Sequence, residues 1–342
     1  MAETVHYTKS SVSIWGSVLV NVFWPTLPIR ADNYVKRSVP CFPRVSSTAM
    51  AHWSAIRSTI SRTCVPASLQ SNIPLSKEQH IMQMTGNTIL ITGGGSGIGR
   101  ALAEAFHKRG NQVIISGRRR DALEETLVAN PGMAALTLDI TRTEAIKTFA
   151  TQLTSAFPAL NVVIQNAGIM RNEALLKGET ETAEETIATN LLGPIRLTAA
   201  LLSHLTAQQN GALMTVSSGL AYLPLSMTPT YAATKAAIHS YTQSLRYQVK
   251  DTPLQVLELV PPYVQTGLMG ERQANDPNAM PLKDFIDEVL TILETQPDAT
   301  EILVERVKPL RFAEGGADKA EAYAAFYKKF NDGMVAARQG EL

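Results

Sequence analysis

From residue 84 onward, short apolar runs alternate with longer stretches whose apolar positions recur every three or four residues. Asn87–Thr92 (NTILIT) reads as a buried strand. Ile98, Leu102, Ala105 and Phe106 then lay an apolar stripe along a helix that Gly110 ends. Further strands are predicted at Gln112–Ser116, Ala134–Asp139, Asn161–Gln165, Gly211–Ser217, Leu254–Val260 and Glu301–Val304. Helices are predicted at Asp121–Ala129, Thr143–Ala156, Ala183–Gln208, Tyr231–Lys250, Leu282–Glu294 and around Ala317–Phe330. Pro194 should kink the third of these, because it cannot donate to the carbonyl of Asn190 four residues back. Strands that alternate with helices, and are apolar on both faces, specify a parallel sheet covered on both sides.

Residues 1–83 lack this pattern. They are rich in Ser and Thr, broken by six prolines, and carry eight Lys/Arg against three Asp/Glu. The apolar run Ser13–Trp24 falls short of the about 20 residues a spanning helix needs, so no membrane segment is expected. Three readings stay open: a targeting segment, a disordered tail, or an extension upstream of a true start at Met82 or Met84. The domain division expected is therefore 1–83 as an N-terminal extension and 84–342 as the working domain.

The chain of 342 residues is 45% hydrophobic with a formal net charge of +1, so its charge balance points to neither nucleic acid nor an anionic membrane. Both cysteines, Cys41 and Cys64, precede residue 84. A thiolate metal site and a cysteine nucleophile are thereby excluded from the later region. The six histidines form no ligand cluster, His107, His204 and His239 each falling in a separate helical stretch, and no metal is expected.

Between the first strand and the first helix lies Thr92-Gly93-Gly94-Gly95-Ser96-Gly97-Ile98-Gly99. Glycines let a backbone approach a pyrophosphate closely, and the following helix offers free N–H groups and its positive end. Thr92, Gly93, Gly95, Ser96, Gly97, Ile98 and Gly99 are therefore candidate nucleotide-binding residues. The fold expected is a single Rossmann-like α/β domain, a doubly wound parallel sheet with helices on both faces. At the end of the second strand, where a carboxylate would accept bonds from an NAD ribose, Gly117 is followed by Arg118, Arg119 and Arg120. The arginine fork suits a 2′-phosphate, which points to NADP(H). Tyr231-Ala232-Ala233-Thr234-Lys235 puts a phenol and an ammonium on one helix face. A nearby cation favours the phenolate.

The glycine spacing resembles the short-chain dehydrogenase/reductase fingerprint Thr-Gly-x-x-x-Gly-x-Gly, and the likeness extends over residues 84–342. It implies a catalytic set of Asn190, Ser218, Tyr231 and Lys235, with Ser218 thirteen residues before Tyr231. Tyr231 would exchange a proton with the substrate oxygen. Ser218 would bond that oxygen, Lys235 would hold the nicotinamide ribose, and Asn190 would hold a water. It further implies that Asp139 meets the adenine; the reading from the residues alone leaves an N-cap of the next helix open. Asn166-Ala167-Gly168 resembles the family's turn after strand four, with Gln165 in place of an Asn. Pro261, Val264 and Thr266 would hold the carboxamide, with Pro262 where Gly is usual.

The expected activity is hydride transfer between NADP(H) and a small-molecule carbonyl or secondary alcohol. The apolar residues Leu220, Tyr222, Leu223, Leu225, Met227, Leu268 and Met269 suggest an apolar substrate, or else they cover helices. A 3-oxoacyl-thioester reductase and a redox-silent cofactor sensor are the alternatives. The family likeness also implies a homodimer or homotetramer, and a cytoplasmic location is expected.

Overall fold

In the computed structural model, residues 82–315 and 319–337 are described. Residues 1–81, which include nearly all of the expected extension, lie outside them. Met82 is buried in the core, and its backbone N–H donates to Gln255 Oε1 at 2.9 Å.

Seven strands form one sheet in the order β3-β2-β1-β4-β5-β6-β7. They are β1 (Thr88–Thr92), β2 (Gln112–Gly117), β3 (Ala134–Thr137), β4 (Leu160–Gln165), β5 (Ala212–Val216), β6 (Gln255–Leu259) and β7 (Glu301–Ile302). Every pairing is parallel. The chain winds outward from β1 to β3, then returns to lay β4 against the other side of β1. That reversal opens a crevice at the carboxyl ends of β1 and β4, where ligands bind in open α/β sheets.

The helices that cover the sheet are α1 (Gly97–Lys108), α2 (Arg120–Ala129), α3 (Thr143–Ala156), α4 (Glu181–Ile187), α5 (Gly193–Thr206), α6 (Pro229–Gln248), α7 (Glu271–Ala274), α8 (Leu282–Thr295), α9 (Lys308–Arg311) and α10 (Ala320–Ala337). Two apolar layers follow from strand alternation. Ile89, Ile91, Val113 and Ile115 face one way and join Phe106 of α1 and Phe285 of α8. Leu90, Ile114 and Val163 face the other and join Phe149 of α3 and Leu201 of α5. The expected doubly wound, Rossmann-like sheet is the sheet observed.

Strand three ends at Thr137, two residues before the expected end, and the last strand keeps only Glu301 and Ile302. The expected helix Ala183–Gln208 is two helices joined by a π-turn at Ala188–Leu192. Pro194 supplies the cause, since its missing N–H cannot close the regular bond to Asn190.

Candidate active site

The glycine turn leaves β1 and enters α1 at the crevice. Gly93 holds φ +70°, and a Cβ there would come 2.9 Å from Asn166 Nδ2. At Gly99 a Cβ would meet Gly93 O at 2.4 Å, so the first turn of α1 lies directly against the loop. Gly99 is thus a packing position; it does not line the crevice. Thr92, fully buried, accepts from Asn166 N at 3.1 Å and Ala167 N at 3.0 Å through its hydroxyl. The ends of β1 and β4 are tied together at that atom. Ser96 precedes α1 in extended conformation, and its hydroxyl accepts from Arg119 at 3.3 Å.

A crevice of about 870 Å³ runs past this turn, with a smaller cavity of about 180 Å³ continuing toward the ends of β2 and β3. Thr92, Gly93, Gly95, Arg118, Arg119 and Thr189 line the small end. Gly93, Ser96, Gly97, Ile98 and Asn166–Gly168 line the large one, opposite Ser218, Tyr231 and Lys235. Pro261, Val264 and Thr266 close it from the loop after β6.

Asp139 and Asn190 stand back from the cavity walls. Asp139 Oδ1 accepts from Thr141 N at 3.1 Å and Thr141 Oγ1 at 2.7 Å, a tight turn that caps no helix. Burial works to raise its carboxyl, but these two bonds and the charges of Arg118 and Arg142 hold it below the ordinary range. Leu138 and Ile140, on either side, face the cavity instead. Gln165, the departure from the family's turn, turns away to donate to Thr198 of α5 at 2.9 Å.

Tyr231 and Lys235 fall on the first turns of α6, whose start is fixed by Pro229 and by Glu173. That carboxylate accepts from Thr230 N at 3.0 Å and Thr230 Oγ1 at 2.7 Å. Lys235 Nζ lies 5.5 Å from the centre of the Tyr231 ring and donates to Val216 O at 2.7 Å. Burial lowers the Lys235 ammonium to about 8, opposed by Glu258. Burial pushes the Tyr231 phenol up to about 12, against a smaller lowering by the Ser218 hydroxyl. The lowering expected from Lys235 does not appear; burial dominates, because a phenol taken out of water resists ionisation. Ser218 Oγ also accepts from Leu220 N at 3.1 Å, which fixes its rotamer.

The apolar wall differs from expectation. Tyr222, Leu223, Leu225 and Met227 are buried because the loop that carries them lies under α9 and α10. Asn331 of α10 donates to Pro224 O at 3.2 Å and accepts from Ser226 N. Of the expected wall, Leu268 and Met269 do line the crevice, and Met170 and Pro262 add to them. Gln273, on the four-residue helix α7, was not foreseen. It is buried, lines the crevice, and donates to Val264 O at 2.9 Å and Thr266 Oγ1 at 3.2 Å. A helix that short leaves no periodicity to read.

Arg118 lies 3.7 Å from Glu185 of α4, and Arg171 grips the same carboxylate with two nitrogens. Among the described residues no helix is long and apolar enough to cross a membrane.

The model of the short chain dehydrogenase family matches residues 87–277. The chain belongs to that family. As a short-chain dehydrogenase it is an oxidoreductase, and its relatives agree. It is 37% identical over 240 residues to the uncharacterized oxidoreductase DltE of Bacillus subtilis (strain 168), covering 68% of this chain and 93% of the relative. A short-chain dehydrogenase from Streptomyces avermitilis aligns with a TM-score of 0.61 at 26% identity, over 73% of this chain and 99% of that one. One from Burkholderia cenocepacia J2315, in complex with NADP, aligns with a TM-score of 0.61 at 24% identity, over 71% and 98%.

Proposed function

We propose that this short-chain dehydrogenase transfers hydride between NADP(H) and an apolar, small to medium carbonyl or secondary alcohol. The observation that carries the reading is the meeting of Ser218, Tyr231 and Lys235 with the glycine turn and Thr266 in one crevice.

The residues present fit a dinucleotide. Ser116 Oγ and Thr189 Oγ1 are buried without a hydrogen-bond partner beside the small cavity, and Ser217 Oγ likewise beside the large one. The turn at Gly93–Gly97 offers backbone N–H groups for phosphates, and Arg118 and Arg119 at the end of β2 suit a 2′-phosphate. When bound, the nicotinamide supplies or accepts the hydride.

The chain's own groups do the rest. Tyr231, neutral at physiological pH, gives its phenolic proton to the carbonyl oxygen as charge develops there. Ser218 donates a hydrogen bond to the same oxygen. Lys235, held on Val216 O, carries positive charge beside the phenol and stabilises the phenolate left behind. Met170, Leu268 and Met269 keep the reacting centre against apolar surface, which favours an apolar substrate. The assignment of Asn190 as a positioning group rests on its contacts with the loop after β4. A homodimer or homotetramer formed through α4 and α5 would cover Ile187 and Leu192, which are exposed. We place the working protein in the cytoplasm.

The test is NADPH consumption against a panel of apolar ketones and aldehydes. Tyr231→Phe should lower turnover by about 100-fold or more while NADPH still binds. An unchanged rate would refute the assignment.

A further inference from the structure

Two backbone groups settle which way the buried Gln273 amide points. Its Oε1 accepts from Met269 N at 3.1 Å, and a backbone N–H can only donate. Its Nε2 donates to Val264 O at 2.9 Å, and a carbonyl can only accept. The oxygen and nitrogen ends therefore cannot be exchanged. The second hydrogen on Nε2 goes to Thr266 Oγ1 at 3.2 Å. The Thr266 oxygen is thus an acceptor toward Gln273, and its own hydrogen remains to be placed. Among the described residues no other group bonds that hydroxyl.

The rest of Thr266 is held as closely. A Cβ on Gly97 would lie 3.6 Å from Thr266 Cγ2, so the methyl faces the glycine turn. With methyl and hydroxyl both placed, the branched side chain keeps one rotamer. Val264 is secured on its far side by a parallel bridge to Met280. Gln265 N donates to Met280 O at 2.9 Å there, and Met280 N to Tyr263 O at 2.8 Å. Gly270, at φ +90°, turns the chain so that α7 brings Gln273 back onto this loop. Thr266 and Gln273 both line the large crevice, together with Ser218, Tyr231 and Lys235.

We propose that Gln273 is a positioning residue for the nicotinamide ring: its amide donates to the Thr266 oxygen and so commits the Thr266 hydrogen to the carbonyl oxygen of the ring's carboxamide. A threonine hydroxyl with no such neighbour rotates freely and serves as donor or acceptor alike. Here the hydrogen needs an acceptor, which the carboxamide oxygen supplies and its NH2 group does not. Gln273 thereby selects one end of the carboxamide without touching the reacting atoms. The inference rests on the dinucleotide reading given above.

The test is calorimetric titration of the full chain with NADPH and with 2′-phospho-ADP-ribose, which has the same phosphates and adenosine but no ring. Gln273→Glu keeps the length and an acceptor for Met269 N, yet offers Thr266 an acceptor in place of a donor, so the hydroxyl turns inward. NADPH should bind about 5-fold more weakly or worse, as expected for a lost hydrogen bond. The ringless ligand should hold within about 2-fold. In a Thr266→Val background, which has no hydroxyl to turn, Gln273→Glu should change NADPH binding by no more than about 2-fold. Gln273→Met, uncharged and of similar size, is read in its place if the Glu variant does not fold, and should show a smaller loss confined to NADPH. NADPH binding unmoved in the folded variants, equal losses for both ligands, or a full loss in the Thr266→Val background each overturn the proposal alone. A native chain that binds neither ligand would instead overturn the dinucleotide reading, and this proposal with it.

Discussion

Both ends of the Asn190 amide bind one residue: Oδ1 accepts from Ile169 N at 2.9 Å, and Nδ2 donates to Ile169 O at 2.8 Å. The same Nδ2 lies 3.3 Å from Thr234 Oγ1 on α6. One side chain in the π-turn thus joins the loop after β4 to the helix of Tyr231 and Lys235. Asn190→Leu would leave the Ile169 N–H and C=O unpaired and should cost about 2 kcal/mol of stability or more. Urea unfolding measures this, and a loss within experimental error would show that the bonds are dispensable.

Arg118 should decide between the two nicotinamide dinucleotides. Removing a charged donor to a phosphate costs about 1.5–3 kcal/mol, so Arg118→Ala should weaken NADPH by about 10-fold or more and leave NADH nearly unchanged. Glu185→Gln, which releases Arg118 and Arg171 from a competing carboxylate, should tighten NADPH. Calorimetric titration of both ligands reads both effects. Equal losses for NADPH and NADH in Arg118→Ala would reject the preference.

Glu173 fixes the beginning of α6 from a different loop. It accepts from Thr230 N within the first turn, where a negative charge also suits the helix dipole. Glu173→Ala should cost about 1 kcal/mol, as loss of an N-terminal cap does. Glu173→Gln should recover part of that. Thermal melts of the three proteins side by side give the order, and an Ala variant as stable as the parent would remove Glu173 from this role.

Alkaline stability follows from two buried groups of opposite effect. Lys235 titrates at about 8 in the fold against 10.5 ordinarily. Between those values the unfolded chain binds more protons, so this group makes stability rise with pH. Tyr231 is raised to about 12 from 10.0. Its contribution is fully present below pH 10 and is lost as pH climbs through 12, on the order of 2–3 kcal/mol. Urea midpoints from pH 8 to 12 should show the fall above 10, and Tyr231→Phe should make it shallower. A fall just as steep in the variant would contradict the raised phenol.

Most of the sheet was readable because each buried strand is a local apolar run between turn residues. The glycine turn and the Tyr231–Lys235 pair were readable for the same reason, being set by short spacing, whereas Ser218 entered only through the family likeness. What escaped depends on distant partners. Tyr222, Leu223, Leu225 and Met227 read as an apolar wall, yet Asn331, more than a hundred residues on, draws their loop beneath α10. His239 looked solitary because Glu258 and Glu301 reach it only through strand pairing. Asp139 bends to its own neighbour Thr141, a competition that side-chain spacing does not reveal.

The Thr92 hydroxyl, shared by two successive N–H groups across the β1–β4 gap, has a mechanical consequence. The floor of the cleft cannot widen without breaking both bonds. At the outer rim Gln273 strings Val264, Thr266 and Met269 together through one amide. Base and brim are thus each laced by a single side chain, so the width of the cleft is set at two points far apart in the chain.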